Sequence, residues 1–326
     1  MSFSYTQLPR PFLALAPMED VTDRVFRGLV ADHAPPDVFY TEFIAAQALA
    51  ARRRTTMAAL PFTQRERPLI AQIWGTDPDS FFEAARLLAE LDYDGIDINM
   101  GCPARKIVKK GACAGLIGNY ARTSELIQAS REGIAAAGGT VPLSVKTRLG
   151  ISTPITDEWC GFLLEQNIDA LTLHPRTAEQ MSDGHADWTQ LSRVTDIRNR
   201  LQRSTVIIGN GDVLSAAQAH SRAEETGVDG IMIGRGIFSN LFVFNPAVPG
   251  LRERNRREKL RIALEHTTRF EYEYQDTRNF EILKKFYKCY VIGYTGYEQD
   301  FTALMAAQSY QEARSILIKG IEKEGP

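Results

Sequence analysis

The chain has 326 residues, 44% of them hydrophobic, with 38 Lys and Arg against 40 Asp and Glu and a formal net charge of −2. That length exceeds a single core of ordinary size and supports one large domain plus a smaller one; the apolar fraction excludes a disordered or fibrous chain. Near-neutral charge excludes a uniformly basic surface, so any nucleic-acid contact must rest on local cationic patches.

The N-terminal segment MSFSYTQLPRPFLALAP holds an apolar run that is too short to span a bilayer and ends at Pro17. No signal-peptide pattern precedes it and no long apolar stretch follows. The four cysteines (Cys102, Cys113, Cys160, Cys289) contain no C-x-x-C pair, and scattered thiols suit a reducing compartment. A cytoplasmic chain without membrane contact is expected.

Eight short apolar runs then follow in order: FLALAPM (12–18), VFYTEF (38–43), LIAQIWG (69–75), GIDINMG (95–101), PLSVKTRLG (142–150), ALTLHPR (170–176), TVIIGNGD (205–212) and GIMIGRG (230–236). Nearly continuous runs rich in Leu and β-branched residues are what strands buried on both faces of a parallel sheet require. Helical periodicity fills the intervals. Residues 20–32 place Val21, Val25, Leu29 and Val30 on one side; 78–91 has Asp77 as N-cap and Pro78 at the first helical position; 122–137, 156–167, 187–202 and 214–226 behave similarly. Strand–helix alternation repeated eight times predicts an α/β fold, a (β/α)8 TIM barrel, with a doubly wound open sheet as competitor. Beyond residue 251 no strand-like run occurs, and helices are expected over 252–274, 276–292, 298–307 and 309–323. The expected organisation is a catalytic barrel over residues 1–250 and an all-helical domain over 251–326.

Active sites of such barrels lie at the C-terminal ends of the strands, so the residues closing each run are the candidates. They include Pro17 and Met18, Glu42, Gln72, the stretch from Asn99 through Cys102 to Pro103, Lys146 with Arg148, His174 with Arg176, Asn210-Gly211-Asp212 and Gly234-Arg235-Gly236. The glycine turns after the seventh and eighth runs stand where this architecture binds phosphate, though they also permit tight turns alone. Lys146 and Arg148, two apart on one strand, share a face. An inward lysine is a Schiff-base former, an anion ligand, the partner of an anionic ring, or one half of an ion pair. Cys102 is a structural thiol, a general acid or a nucleophile; at its ordinary pKa it is mostly protonated at pH 7. His174 is either a satisfied core histidine or a donor to a ligand. The cationic run Lys106, Lys109 and Lys110, directly after Cys102, suits a polyanionic substrate. No cluster has metal-ligand spacing, so no metal is expected, and no G-x-G-x-x-G opens a helix, so a nicotinamide cofactor would bind transiently.

The segments LAPMEDVTDRVFR (15–27), DINMGCPARKIVKKGACAGL (97–116), VKTRLG (145–150), LTLHPRT (171–177), IGNGDV (208–213) and MIGRG (232–236), together with NFEILKKFYKCYVIG (279–293), resemble the tRNA-dihydrouridine synthases in the same order along nearly the whole chain. The resemblance implies FMN across the barrel mouth, NADPH as transient reductant and tRNA as partner, bound by the helical domain of a monomer. It implies Cys102 as general acid. Pro17, Met18, Glu19, Gln72 and Lys146 match contacts to the isoalloxazine, and His174, Asn210, Gly211, Asp212, Gly234 and Arg235 match the ribityl phosphate end. Asn99, with Arg148, Arg176 and the three lysines, is assigned to the substrate side. Cys113, in GACAGLIG (111–118), is expected to be a buried structural thiol, with a second thiol near the pocket as the alternative. The competing readings are a dihydroorotate-type flavin barrel acting on a free pyrimidine, a cofactor-free barrel using Lys146 as a Schiff base, and a non-catalytic RNA-binding relative.

Overall fold

The computed structural model describes residues 3–275 and 277–323. Contacts divide the chain into two units. One is the chain up to Arg24 together with Pro36–Gly234; the other is Val25–Pro35 together with everything from Arg235 onward.

The first unit contains strands β1 (Phe12–Leu15), β2 (Phe39–Tyr40), β3 (Ile44–Ala45), β4 (Leu69–Trp74), β5 (Gly95–Met100), β6 (Leu143–Arg148), β7 (Ala170–His174), β8 (Val206–Asn210) and β9 (Gly230–Ile233). Their order is β1-β9-β8-β7-β6-β5-β4-β2, every pair parallel, with β3 also on β4. The two ends of this order meet through a parallel bridge between Ala14 and Val38, where Leu15 N–H donates to the Val38 carbonyl at 3.0 Å. The result is the expected eight-staved parallel barrel. Its second stave is broken into β2 and β3, whereas the sequence of residues 38–43 reads as one strand. At the break the Thr41 hydroxyl, not a backbone carbonyl, accepts the Gln72 N–H at 3.0 Å.

Alternation along each strand sends every second side chain inward. Phe12, Val38, Ile70, Ala170 and Val206 belong to an interior apolar cluster that Tyr5, from the N-terminal segment, also joins. Two or four residues further along the same inward faces the chemistry changes: Gln72 follows Ile70, Thr172 and His174 follow Ala170, and Asn210 follows Ile208. The register aligns Gln72 with Asp97, Asp97 with Ser144, Asn99 with Lys146 and Lys146 with Thr172. The apolar end of the barrel therefore gives way to a polar mouth at the C-terminal ends of the strands.

The covering helices start where capping chemistry allows. Asp77 accepts from Ser80 N–H at 3.0 Å and Pro78 opens the helix Pro78–Glu90; Asn119 and Ser215 cap Tyr120–Ala136 and Ala216–Thr226 in the same way. Two five-residue helices, Ala46–Ala50 and Arg54–Ala58, have no counterpart in the sequence reading, being too short to show a 3.6-residue period.

The second unit consists of helices Arg256–Tyr274, Glu281–Val291, Tyr297–Ala306 and Tyr310–Glu322, joined by most of the helix Arg24–His33. Phe26 packs its ring 4.9 Å from Phe286 and 5.6 Å from His266, Asp32 pairs with Arg269 at 2.7 Å, and His33 meets Glu265 at 2.9 Å. His266 is fully buried among these rings; desolvation pushes its pKa down to about 3, so it is neutral and bonds Tyr290 through Nδ1. Asp276, where one expected helix would begin, lies outside the described residues. Among the described residues no helix is long and apolar enough to cross a membrane.

Gly133 marks the closest approach of two barrel helices: a Cβ there would sit 2.2 Å from the Phe82 carbonyl oxygen. Gly133→Ala must push the helices Tyr120–Ala136 and Pro78–Glu90 apart, an overpacking that costs about 1–3 kcal/mol. The expected outcome is a lower midpoint in thermal unfolding; an unchanged midpoint counts against this contact.

Candidate active site

The turn after β5 is held from two sides. The Asn99 Oδ1 accepts from the N–H groups of Gly101 at 3.0 Å and Cys102 at 2.9 Å. The Arg148 guanidinium donates to the Gly101 carbonyl at 2.8 Å, and also to the carbonyls of Thr177 and Met181, at 3.0 and 2.7 Å. Arg148 is thus spent on tying the Cys102 turn to the loop after β7. Cys102 is half-buried; Cys113 is fully buried, with a left-handed backbone (φ 52°), and Ala114 N–H donates to the Cys102 carbonyl at 3.3 Å.

The two thiols face each other. The Cys113 thiol donates to the Cys102 sulfur, and this bond does most to lower the Cys102 pKa to about 6; burial opposes it, while the Ala104 N–H and the charges of Arg148 and Lys146 add to it. Cys113 itself is pushed far above the ordinary thiol range by the same bond and by burial. Cys102 does not keep the ordinary thiol pKa: the pair holds it below that value. The buried reading of Cys113 holds, and its thiol also touches the candidate catalytic sulfur.

Lys146 reaches across the mouth from β6 to β8, its Nζ donating to Asn210 Oδ1 at 2.9 Å, while Asn210 Nδ2 donates to the Met232 carbonyl at 2.8 Å. Its hydrogen-bond partner is a neutral amide rather than a carboxylate. Burial first, then the Arg148 charge, lowers its pKa to about 8, opposed by Asp97 and Cys102. It remains mostly a cation at pH 7.

Gln72, Asp97 and Asn99 form one chain. Gln72 Nε2 donates to Asp97 Oδ2 at 2.6 Å, Asn99 Nδ2 donates to Gln72 Oε1 at 2.9 Å, and Ser144 Oγ donates to Asp97 Oδ1 at 2.6 Å. Asp97 is completely buried, which raises its pKa to about 6.

On the opposite side, Arg176 Nη1 lies 3.0 Å from His174 Nε2. A guanidinium can only donate, so Nε2 accepts and the ring proton sits on Nδ1. Arg176 is buried, and its Nη2 grips both carboxylate oxygens of Asp212 at 2.9 and 2.7 Å. Asp212, which also accepts from Ala186 N–H at 2.8 Å, turns its carboxylate to this guanidinium. Arg176 is therefore a strut for His174 and the Asp212 turn, not a side chain at the mouth's edge. Gly211 has φ 139°, and a Cβ on it would stand 3.1 Å from Ala186 and 3.2 Å from the His174 ring. The turn is bare backbone because nothing larger fits.

Met18 N–H donates to Thr22 Oγ1 at 2.9 Å, which fixes the turn after β1; Pro17 is half-buried and Glu19 exposed. A Cβ on Gly234 would lie 3.7 Å from Met18 Sδ, so this turn and the one after β9 are neighbours. Arg235 opens a short helical turn, Arg235–Phe238, that groups with the second unit. Lys106, Lys109 and Lys110 are all exposed, on and just beyond the helix Arg105–Val108 that follows Cys102.

A protein-family model described as dihydrouridine synthase matches residues 14–319. The chain belongs to the dihydrouridine synthase family. It is 40% identical over 319 residues to a probable tRNA-dihydrouridine synthase of Staphylococcus aureus (strain COL), covering 96% of this chain and 94% of that one. It is 38% identical over 317 residues to a probable tRNA-dihydrouridine synthase 2 of Bacillus subtilis (strain 168), covering 96% and 95%. In fold it is similar to a morphinone reductase mutant in complex with tetrahydroNAD, with TM-score 0.50 and 10% identity over 73% of this chain and 86% of the other. A 2-naphthoyl-CoA reductase gives TM-score 0.52 at 10% identity over 71% and 49%.

Sequence reasoning missed three features of this dihydrouridine synthase mouth. Asp97 stands two before Asn99, on the same strand face, a spacing that could have found it. The contact of Cys113 with Cys102 depends on a left-handed turn that no spacing encodes. The Thr172 hydroxyl is fully buried with no hydrogen-bond partner among the described residues, on the inward face two residues above Ala170.

Iodoacetamide labelling reads the thiol pair directly, because the thiolate is the nucleophile. Cys102 is expected to react with a pH midpoint near 6, its protonated form below that pH being inert. Cys113→Ala removes the donated hydrogen bond and moves the midpoint upward. A midpoint at the ordinary thiol value in the wild type, or no movement in the variant, refutes the pairing.

Proposed function

We propose that the chain reduces the C5–C6 bond of uridines in tRNA with FMN held in the barrel mouth, NADPH as reductant and Cys102 as the proton donor. Family membership carries the reaction class. The observation that carries the role of Cys102 is the convergence on it of an oriented turn, a neighbouring thiol and the charges of Arg148 and Lys146.

The mouth suits a flavin in two respects. Lys146 offers a cation bonded to a neutral amide, and Gly211 offers backbone with no side chain of its own. When bound, FMN supplies hydride to uracil C6. Around it, Gln72 and Asn99 present amides of fixed orientation. Lys146 holds negative charge in place through preorganised electrostatics. His174 carries its ring proton on Nδ1, and the turns at Asn210-Gly211-Asp212 and Gly234-Arg235 suit the phosphate end. Pro17, Met18 and Glu19 line the turn beside Gly234. The exposed Lys106, Lys109 and Lys110 suit the tRNA backbone. The uridine must leave its stack to reach a recessed mouth. The helices beyond Arg235 are the tRNA-docking part, and a monomer working on tRNA in the cytoplasm completes the reading.

Cys102 gives its proton to C5, and Cys113 is the adjacent thiol. An acid works only in its protonated form, which is lost as pH rises through its pKa. The kcat/KM for tRNA, which reports the free protein, is therefore expected to fall above about pH 6. Negative charge developing on the substrate beside Cys102 raises its proton affinity, so kcat falls at higher pH than kcat/KM.

Cys102→Ala is expected to bind FMN and accept hydride from NADPH as the wild type does, yet to lose about 10²–10⁴-fold in single-turnover uridine reduction. Near wild-type reduction by this variant ends the assignment. Mapping dihydrouridine in tRNA from cells with and without the protein tests the reaction itself: sites that persist in its absence count against it.

A further inference from the structure

Every link between the Cys102 turn and the barrel interior has a direction, and the directions leave one solution. The N–H groups of Gly101 and Cys102 can only donate, so the side-chain atom of Asn99 that meets them, at 3.0 and 2.9 Å, must be its oxygen. That sends the Asn99 amide nitrogen to Gln72, at 2.9 Å, and the atom it meets must be the Gln72 oxygen. The Gln72 nitrogen is then turned to residue 97, at 2.6 Å, where only an acceptor will serve. Asp97 supplies it. Its other oxygen takes the Ser144 hydroxyl at 2.6 Å, and Tyr5 stands behind Ser144 at 3.2 Å with Tyr40 beside it at 2.9 Å. Hydrogen bonds thus run toward the carboxylate from the mouth on one side and from the barrel interior on the other.

We propose that Asp97 is a positioning residue for the Cys102 turn, acting through Gln72 and Asn99 by fixing which end of each amide faces which neighbour. An amide side chain is nearly symmetric in shape and asymmetric only in polarity. Without an acceptor at position 97, Gln72 gains nothing from its present orientation; reversed, it would set its nitrogen against that of Asn99. Asn99 could then relieve the conflict only by reversing too, which would set a donor against the two turn N–H groups. An unmade bond inside a buried chain leaves a desolvated polar group unpaired, so the fault travels to the turn rather than staying at residue 97. The positions of Asp97, Gln72 and Ser144 in register on three adjacent strands make the chain rigid at its base.

The proposal rests on the preceding reading only in taking Cys102 as the working thiol, and its test does not use the reaction. Backbone hydrogen exchange at Gly101 and Cys102 is measured on the full-length protein as purified, at one pH. Asp97→Leu, which has no acceptor, is expected to speed exchange at these two positions by about tenfold, the effect of losing one hydrogen bond of ordinary strength, with β6, β7 and β8 unchanged. Adding Gln72→Glu moves the carboxylate one link nearer the turn: it has only acceptors, so the Asn99 amide nitrogen meets an oxygen whichever way it turns. The double variant is therefore expected to return to wild-type exchange at the turn, which a general loss of stability would not do. Unchanged exchange in Asp97→Leu, faster exchange throughout the barrel, or a double variant as fast as the single one overturns the proposal. Should Asp97→Leu not fold, Gln72→Met breaks the chain one link nearer the turn and carries the same expectation and the same refutation. A chain that behaves this way but leaves uridine untouched would sink the proposed reaction and leave the positioning role standing.

Discussion

A closed parallel barrel gives each strand one inward face and no water to satisfy what points there, and the polar mouth of this molecule follows from that constraint. Apolar side chains fill the lower rings, where Phe12, Val38, Ile70 and Val206 meet Tyr5. Above them the same faces carry Gln72, Asp97, Asn99, Lys146, Thr172, His174 and Asn210. A polar group buried without a partner costs more than a hydrogen bond contributes, so these side chains have to bond one another or a ligand. Most do bond one another: Gln72 to Asp97, Asn99 to Gln72, Lys146 to Asn210. The exception among the described residues, the Thr172 hydroxyl, lies beside Lys146 in the register.

This arrangement divides the candidate residues into those that face a ligand and those that hold the others. Arg148 and Arg176 both read from the sequence as cations for a substrate. Both are buried, and their donors go to carbonyls, to a histidine nitrogen and to Asp212. A guanidinium offers five donors in a fixed plane, which makes it as good a fastener for loops as a ligand for phosphate. Here each one joins the ends of two staves. Lys106, Lys109 and Lys110, by contrast, face outward, and their flexible stems suit a phosphate backbone that carries charge but no sequence information at those points.

Much of this is legible without coordinates. The continuous apolar runs give the staves because buried parallel strands must be apolar on both faces. Asp77 and Pro78 give a helix start because their chemistry is local. What is not legible lies where distant segments meet. The break in the second stave comes from the Thr41 hydroxyl displacing a backbone acceptor, which no strand propensity records. The helix beginning at Arg24 reads as a barrel helix by order, yet Phe26 and Asp32 are bonded into the helical unit. Asp212 reads as part of an anion site by its place after a glycine, and its carboxylate is turned to Arg176. In each case the sequence names the group and its strand end; which of several neighbours it serves is decided by packing.

The thiol pair shows why that distinction matters for chemistry. A lone thiol at its ordinary pKa is a serviceable acid at neutral pH. Cys102 with Cys113 at its side has a lowered pKa, while its neighbour keeps a proton firmly. Such a sulfur less often carries a proton at rest. It takes one up when negative charge stands next to it, because that charge raises the proton affinity of the group nearest to it. For Cys102 in the proposed role of acid, protonation is then tied to the presence of charge in the mouth by electrostatics alone, without a moving part. The turn that carries Cys102 must hold still for this to work, since the influence of a charge falls with distance. Asn99, Arg148 and the buried carboxylate behind them supply that stillness.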